Sequence, residues 1–163
     1  MHSILAFDLN SITPRDQSFV LDTARALLLS AAAGERRALL RGRQFGLLCE
    51  SDTDADCALF RRAALELGAH VAHIRPSLMA LSTPQEVQRT AKMLGRLYDA
   101  VACQGLSPAL VQQLGIDAGV PVFDGLASAQ HATAKLVEQL KGEAPEADKR
   151  RVILQAMLLG SVA

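Results

Sequence analysis

Residues 47–64 read LLCESDTDADCALFRRAA, an apolar strand-like run that passes through an acidic loop into a helix-like run. A strand-to-helix turn of an α/β domain is a natural anion site, because free backbone N–H groups and the helix dipole face the ligand. Here the turn carries Glu50, Asp52, Asp54 and Asp56. At ~6 Å and an effective dielectric of about 20, each carboxylate repels a phosphate charge by roughly 2 to 3 kcal/mol, against a dipole attraction of about 2 kcal/mol. The sequence therefore predicts a turn that rejects phosphate.

Outward from this stretch, helical and strand patterns alternate along the chain. A capping residue followed by a proline marks the start of a helix at Thr13-Pro14, Thr83-Pro84 and Ser107-Pro108. The predicted strands are 44–49, 71–74, 100–103 and 120–123. The predicted helices are 14 to about 34, 57–67, 84–97, 108–114, 128–141 and 148–161. This alternation predicts a parallel sheet covered by helices on both faces.

The last predicted helix is apolar almost all round from Val152 to Leu159, so it must be buried. The side chains expected to pack on the chain's own domain are Val152, Ile153, Ala156, Met157 and Leu159. The basic run at 149–151, at the start of the same helix, is interpreted as a solvated face or as ion pairs.

The composition argues against several classes of function. The 163 residues carry a formal net charge of zero, which predicts neither a nucleic-acid partner nor binding to an anionic membrane. The apolar runs 24–33 and 152–163 are too short to span a bilayer, and the apolar run 4–7 is too short for a signal peptide. Three cysteines without paired spacing fit a reducing compartment, so we expect a cytoplasmic protein.

Short motifs follow one another in a specific order along most of the chain. They are Phe7-Asp8-Leu9, Leu40-Arg41-Gly42-Arg43, Phe60, Ala63-Ala64, Leu67-Gly68-Ala69-His70, Thr90-Ala91, Leu94, Arg96, Asp99-Ala100-Val101, Gly119-Val120-Pro121-Val122, Gly125-Leu126 and His131. In this order they resemble the N-terminal, carbamoyl-phosphate-binding domain of the aspartate and ornithine carbamoyltransferases, over roughly residues 4–141. The resemblance implies an α/β fold: a single domain with a doubly wound parallel sheet of about four strands and helices on both faces.

The family's ligand-binding motifs are all altered in this chain. The resemblance implies a Ser-x-Arg-Thr-Arg turn for carbamoyl phosphate, but both arginines are missing from the matching residues 53–57. An arginine expected after the third strand is Gln104, and the His-Pro-x-Gln motif keeps only its histidine. The degenerate ligand positions are Ser51, Asp52, Thr53, Asp54, Ala55, Asp56, Cys57, Gln104 and His131. Because no replacement offers a bidentate guanidinium, we expect no catalytic residue. We also expect no cofactor and no metal.

The C-terminal region departs from the family as well. A full carbamoyltransferase continues into a second-substrate domain after the equivalent of Lys141, whereas this chain passes directly into a segment that looks like the family's closing helix. We therefore expect an internal deletion, with residues 1–142 forming a carbamoyl-phosphate-binding-like domain. Residues 145–163 are expected to form a C-terminal helix packed back on that domain.

Three sets of side chains allow more than one interpretation. Alternating Asp52, Asp54 and Asp56 suggest a calcium loop, but the glycine and glutamate that it requires are absent, so N-capping by Asp54 or the preceding threonine is favoured. The three cysteines, 49, 57 and 103, with His131 nearby, suggest a zinc or redox site, but core packing is favoured. For His131, a structural hydrogen bond is favoured over a role as general acid.

The leading hypothesis is a non-catalytic carbamoyltransferase-like protein that acts as an assembly or regulatory module. In the family, the first domain supplies threefold contacts, and the loop that corresponds to the one before the predicted helix 84–97 reaches into a neighbouring subunit. We therefore expect a homotrimer or a mixed assembly with an intact carbamoyltransferase. The interface candidates are Leu78, Met79, Leu81 and Thr83. The alternative is a small-molecule-binding protein, or an enzyme, that uses the altered switch-point crevice for a neutral or cationic ligand.

Overall fold

The computed structural model describes residues 13–35 and 37–162, in which parallel strands alternate with helices. The strands are β1 Gln44–Leu48, β2 His70–Ile74, β3 Ala100–Cys103 and β4 Val122–Asp124. The α-helices are α1 Pro14–Ala32, α2 Ala55–Glu66, α3 Pro84–Leu97, α4 Pro108–Ala118 and α5 Glu146–Val162, and two 3-10 helices span Pro76–Leu78 and Ala132–Gln139. The Phe7-Asp8-Leu9 motif and the signal-peptide prediction lie outside the described residues.

The four strands form one sheet in the order β2-β1-β3-β4, and every neighbouring pair is parallel. In the sheet, β2 lies on one side of β1, and the chain then crosses over to place β3 on the other side of β1. This reversal makes the sheet doubly wound and places its topological switch point between β1 and β3. The predicted fold class is therefore confirmed.

Successive strand residues face two different cores. Phe45 and Leu47 of β1 lie in a cluster with buried residues of α1, α2 and α5, whereas Leu48 lies with α3 and α4. Side chains alternate between the two sides of a strand, so these clusters occupy opposite faces of the sheet. The helices thus cover both faces, as expected for a buried parallel sheet.

Helix α5 is enclosed by the rest of the described chain. It packs against α1, α2 and the 3-10 helix Ala132–Gln139. Of the side chains expected to be buried, four are buried and Leu159 is half-buried. Buried Gln155 donates from Nε2 to the Ala63 carbonyl at 3.1 Å, which ties α5 to α2 through a polar contact. The division of the chain into a domain and a returning helix stays a prediction.

The segment expected to be a helix over 128–141 differs from the expectation. Turns and bends occupy residues 125–131, and the 3-10 helix Ala132–Gln139 follows. The Ser128 carbonyl accepts from the His131 amide at 3.1 Å and from Arg150 Nη2 at 3.3 Å. An α-helical bond to that carbonyl from residue 132 is replaced by these contacts, so the first expected turn does not form.

Smaller differences concern the ends of elements. Helix α4 continues to Ala118, four residues beyond its expected end, and is closed by Gly119 in the left-handed region at φ 73°. Glycine adopts this conformation without the steric cost of a Cβ, and it is a common end to a helix. Strand β4 begins at Val122, because Pro121 has no N–H to donate to the sheet. No helix in the described part of the chain is long and apolar enough to cross a membrane.

Candidate functional site

A crevice of about 340 Å³ lies at the carboxyl ends of β1 and β3, which is the switch point of the sheet. Its lining residues come from the loops after β1, β2 and β3. They are Cys49, Glu50, Ser51, Asp54, Pro76, Gln104, Gly105 and Leu106. Open α/β sheets bind ligands at this place, because adjacent loops diverge there. Three of the degenerate ligand positions, Ser51, Asp54 and Gln104, therefore lie on one crevice.

Side chains of the turn between β1 and α2 bond two of its backbone amides. Asp54 is the N-cap of α2, and its Oδ1 accepts from the Asp56 amide at 2.8 Å, so the capping interpretation is confirmed. Ser51 Oγ accepts from the Thr53 amide at 3.3 Å and also bonds Thr53 Oγ1 at 2.7 Å. The Thr53 and Asp56 amides are therefore already bonded to side chains of the turn. A phosphate that used these two amides would have to displace the Ser51 and Asp54 side chains.

Asp56 bridges the loops after β1 and β3. Its Oδ2 accepts from Gln104 Nε2 at 3.0 Å. Burial, with the nearby Asp54 carboxylate, raises the pKa of Asp56, while the Arg150 guanidinium acts in the opposite direction. Gln104 stands where the resemblance implies an arginine, and its amide now donates to a carboxylate of the same chain. This pair supplies no positive charge to the crevice.

Glu50 is an exposed carboxylate on the rim of the crevice. Its Oε1 accepts from the Ser77 amide at 2.6 Å, and its Oε2 accepts from Ser77 Oγ at 2.8 Å. Arg75 Nε lies 3.7 Å from Oε2. The Ser77 hydrogen bonds, and to a lesser extent the Arg75 charge, lower the pKa of Glu50. The group is therefore ionised at neutral pH and engaged with the loop after β2.

The three cysteines are free and buried, but they do not all converge. Cys49 and Cys57 belong to the core that includes α1, α2 and α5, while Cys103 belongs to the core on the opposite face. Burial, reinforced by Cys49, raises the pKa of Cys57, and burial with Asp124 raises the pKa of Cys103 to about 12. Protonated thiols are poor nucleophiles and poor metal ligands. Within the described residues, no group of three or more His, Cys, Asp and Glu could hold a metal ion.

His131 caps the 3-10 helix Ala132–Gln139. Its Nδ1 accepts from the Thr133 amide at 3.2 Å and lies 2.8 Å from Thr133 Oγ1. It is not among the residues that line the crevice. These contacts support the structural interpretation of the histidine.

Arg150 is a residue near the site that the sequence interpretation missed. From α5, its guanidinium donates to the carbonyls of Leu126 and Ser128 and to Thr133 Oγ1. Burial lowers the pKa of Arg150 to about 10, although Asp56 opposes this shift. The solvated-face interpretation of the basic run was wrong here. Arg150 stands between the charged residues Lys149 and Arg151, so no local pattern distinguishes it from a solvated residue.

The ion-pair interpretation of the same run is confirmed for Arg151. Its side chain is only 13% exposed and lies 2.8 Å from Glu66 and 2.7 Å from Asp148. A partly buried pair of this kind gains more from its Coulomb attraction than an exposed pair, because solvent screens it less.

The four interface candidates occupy different environments. Leu78 is 78% exposed, whereas Met79 and Leu81 are half-buried against the core formed with α3 and α4. Thr83 forms a capping box with Glu86 at the start of α3. Leu78 is therefore the member of this set whose apolar side chain is free to meet a partner.

Comparison with known proteins identifies relatives of this chain. A model of the aspartate/ornithine carbamoyltransferase, carbamoyl-P binding domain, matches residues 6–141. An ornithine carbamoyltransferase of Actinobacillus pleuropneumoniae is 35% identical over 128 residues, covering 78% of this chain and 38% of the relative. A catabolic ornithine carbamoyltransferase of Mycoplasma capricolum subsp. capripneumoniae is 34% identical over 135 residues, covering 80% and 43%.

Two solved structures share the fold. Ornithine carbamoyltransferase from Pyrococcus furiosus superposes with a TM-score of 0.69 at 22% identity, covering 85% of this chain and 44% of that chain. The catalytic subunit of M. jannaschii aspartate transcarbamoylase gives a TM-score of 0.62 at 18% identity, covering 78% and 42%. The chain spans less than half of the length of these relatives.

Proposed function

Because the chain belongs to the aspartate/ornithine carbamoyltransferase family, we propose that it is a non-catalytic member that acts as an assembly or regulatory module. The observation that carries the proposal is the chemistry of the crevice. The positions that the resemblance assigns to phosphate-binding arginines are Ala55, Cys57 and Gln104. Ala55 has no polar side-chain atom, Cys57 is a buried protonated thiol, and Gln104 donates to Asp56.

The remaining charges support the same conclusion. Glu50 and Asp54 line the crevice, and Asp56 stands beside it. Two guanidiniums near these carboxylates are already engaged: Arg150 donates to two backbone carbonyls and a threonine hydroxyl, and Arg75 lies 3.7 Å from Glu50 Oε2. A dianionic phosphate would therefore meet carboxylates without a free guanidinium to neutralise it.

The proposed assembly is a homotrimer, or a mixed assembly with an intact carbamoyltransferase, in the cytoplasm. The resemblance assigns threefold contacts to this domain, which is the part of the family's architecture that the chain matches. Exposed Leu78, next to the partly buried Met79 and Leu81, supports a protein contact at the loop before α3. Closed cyclic symmetry would bury such side chains in every copy.

Two measurements test this proposal directly. Calorimetry with millimolar carbamoyl phosphate is expected to give no saturable heat, and native mass spectrometry is expected to detect a trimer, alone or mixed with an intact ornithine carbamoyltransferase. An intact enzyme run in parallel is the positive control for the calorimetry. Micromolar binding of carbamoyl phosphate would refute the loss of the phosphate site, while a monomer in both mass measurements would refute the assembly role.

The acidic lining of the crevice favours one alternative function, binding of a neutral or cationic small molecule. A volume of about 340 Å³ is sufficient for a metabolite-sized ligand. NMR titration with a primary alkylamine, against an alkyl carboxylate as the matched control, distinguishes the alternatives. Saturable shifts at Ser51, Asp54 and Gln104 with the amine alone would favour the ligand-binding protein.

A further inference from the structure

The loop 75–82 joins β2 to α3 and carries the exposed Leu78. Its internal hydrogen bonds are few: the Leu78 amide donates to the Arg75 carbonyl at 3.0 Å, and the Met79 amide donates to the Pro76 carbonyl at 3.0 Å. One short 3-10 turn has little stability of its own, because it orders several residues for a small number of poorly aligned bonds. The conformation of this loop therefore depends on contacts from outside it.

Such contacts lie on either side of Leu78, and the Ser82 amide at the end of the loop also donates to Glu86 Oε1 of α3 at 3.1 Å. Before it, the Glu50 carboxylate accepts from both the amide and the hydroxyl of Ser77 at 2.6 and 2.8 Å. After it, buried Thr90 of α3 donates from Oγ1 to the Ala80 carbonyl at 2.9 Å. The Glu50 contact is charge-assisted because its acceptor is ionised, whereas the Thr90 contact is a neutral hydrogen bond from a buried residue.

The rest of the loop packs inward around these contacts. Met79 and Leu81 rest against the core formed with α3 and α4, while Leu78 is left 78% exposed. A large apolar side chain held outward on an ordered turn is preorganised for contact, because its loop loses little further freedom on binding. Glu50 also lines the crevice, so the same carboxylate belongs to both features.

We infer that Glu50 is a positioning residue for the loop 75–82, which it holds so that Leu78 is presented to a second copy of this chain. The identity of the occupant rests on the proposed assembly, whereas the positioning of the loop rests on the contacts alone. Glu50 thereby acquires a role that needs no ligand in the crevice. A carboxylate is suited to it, because its two oxygens accept from the amide and the hydroxyl of one serine at the same time.

Amide hydrogen exchange tests the positioning. In Glu50→Ala, the amides of Ser77 and Leu78 are expected to exchange about tenfold faster than in the unmodified protein, since the Ser77 donor loses its acceptor. Glu50→Gln keeps one acceptor oxygen and should restore part of the protection. The matched control is Asp52→Ala, which removes an exposed carboxylate from the same turn. Unchanged exchange at Ser77 in Glu50→Ala would overturn the inference.

Sedimentation of the same three variants tests the connection to assembly. Glu50→Ala is expected to weaken self-association about tenfold, with Glu50→Gln intermediate and Asp52→Ala unchanged. Faster exchange together with unmodified association would overturn the docking role of the loop. A monomeric unmodified protein would refute the proposed assembly and the docking role, while the exchange measurement would still decide whether Glu50 positions the loop.

Discussion

At the scale of single residues, the crevice differs from a phosphate site because carboxylates and hydroxyls engage its donors. Asp54 caps α2, and Asp56 accepts from Gln104. Both contacts are made within the chain, so these polar groups have partners without a ligand. Burial also disfavours the thiolate forms of Cys57 and Cys103, whose pKa values are raised.

Thiol labelling tests the state of the cysteines. Because Cys57 and Cys103 are buried with raised pKa values, we expect both to react at least a hundredfold more slowly with an aromatic disulfide at pH 8 than in denaturant. The folded form disfavours the thiolates, so stability should fall as the pH rises above the ordinary thiol pKa of about 9. Rapid labelling of either residue in the native protein would instead indicate an accessible, reactive site.

The Glu50 contact should respond to acid. Its folded pKa is lowered by Ser77 and Arg75, so the stabilisation is fully present above the ordinary glutamate value of 4.5. It should disappear as the pH falls through the lower folded value, because the protonated acid loses its charge-assisted bonds. Chemical-shift titration of the Ser77 amide checks this expectation. A titration midpoint of the Ser77 amide shift at or above pH 4.5, the ordinary glutamate value, would contradict this expectation.

At the scale of secondary-structure elements, helices α3 and α4 meet through a glycine. A Cβ added at Gly95 would overlap the Ala118 carbonyl, whereas one added at Gly115 would meet only Val122 at 3.8 Å, an ordinary contact. The two glycines lie in helices of the same layer but differ in the space around them.

This difference defines a matched pair of variants. Gly95→Ala is expected to cost about 1 to 3 kcal/mol, because the two helices must separate. Gly115→Ala should be neutral or stabilising by up to about 1 kcal/mol, because alanine has the higher helix propensity. Urea unfolding of both variants measures the difference. Equal stabilities would mean that the α3–α4 contact is looser than the structure has it.

At the scale of the whole molecule, helix α5 completes the core on one face of the sheet. Fully buried Ile153 and Met157 contact a cluster that also contains residues of α1 and α2. Residues far apart in the chain thus depend on one another, and the loss of α5 would expose an entire helical layer. Truncation after Gly142 is accordingly expected to prevent stable folding.

A point substitution makes this dependence measurable. Ile153→Ala is expected to lower the free energy of unfolding by about 2 to 5 kcal/mol, because it opens a cavity between α5 and the layer below. Leu159→Ala, at a half-buried position of the same helix, should cost clearly less. Thermal melts of the two variants give the comparison. Similar small losses at both positions would show that α5 contributes little to the core.

Assembly also belongs to the whole molecule. Leu78→Glu should shift the proposed trimer toward monomer, because it places a charge at the centre of an apolar contact. Leu29→Glu on α1 is the matched control, since Leu29 is 73% exposed on another surface. Light scattering at tens of micromolar distinguishes them. Equal masses for the two variants would place the interface elsewhere.

Much of the fold could be predicted from local patterns. Capping residues and prolines marked the starts of α1, α3 and α4, and short apolar runs marked all four strands within about two residues. These features act between residues close in sequence, so they can be read without knowledge of the fold. The expected α-helix over 128–141 was wrong at its first turn, where the Ser128 carbonyl accepts from the His131 amide and from Arg150 of α5.

The amino-acid sequence by itself determined the alternation of elements, the apolar character of α5 and the absence of arginine from the ligand turn. Tertiary structure alone decided that Asp56 meets Gln104, that Glu50 holds Ser77, and that Cys103 lies on the opposite face from Cys49. The physical reason is the distance along the chain. Local propensity acts over a few residues, whereas these contacts join loops and faces that come together only when the parallel strands pair.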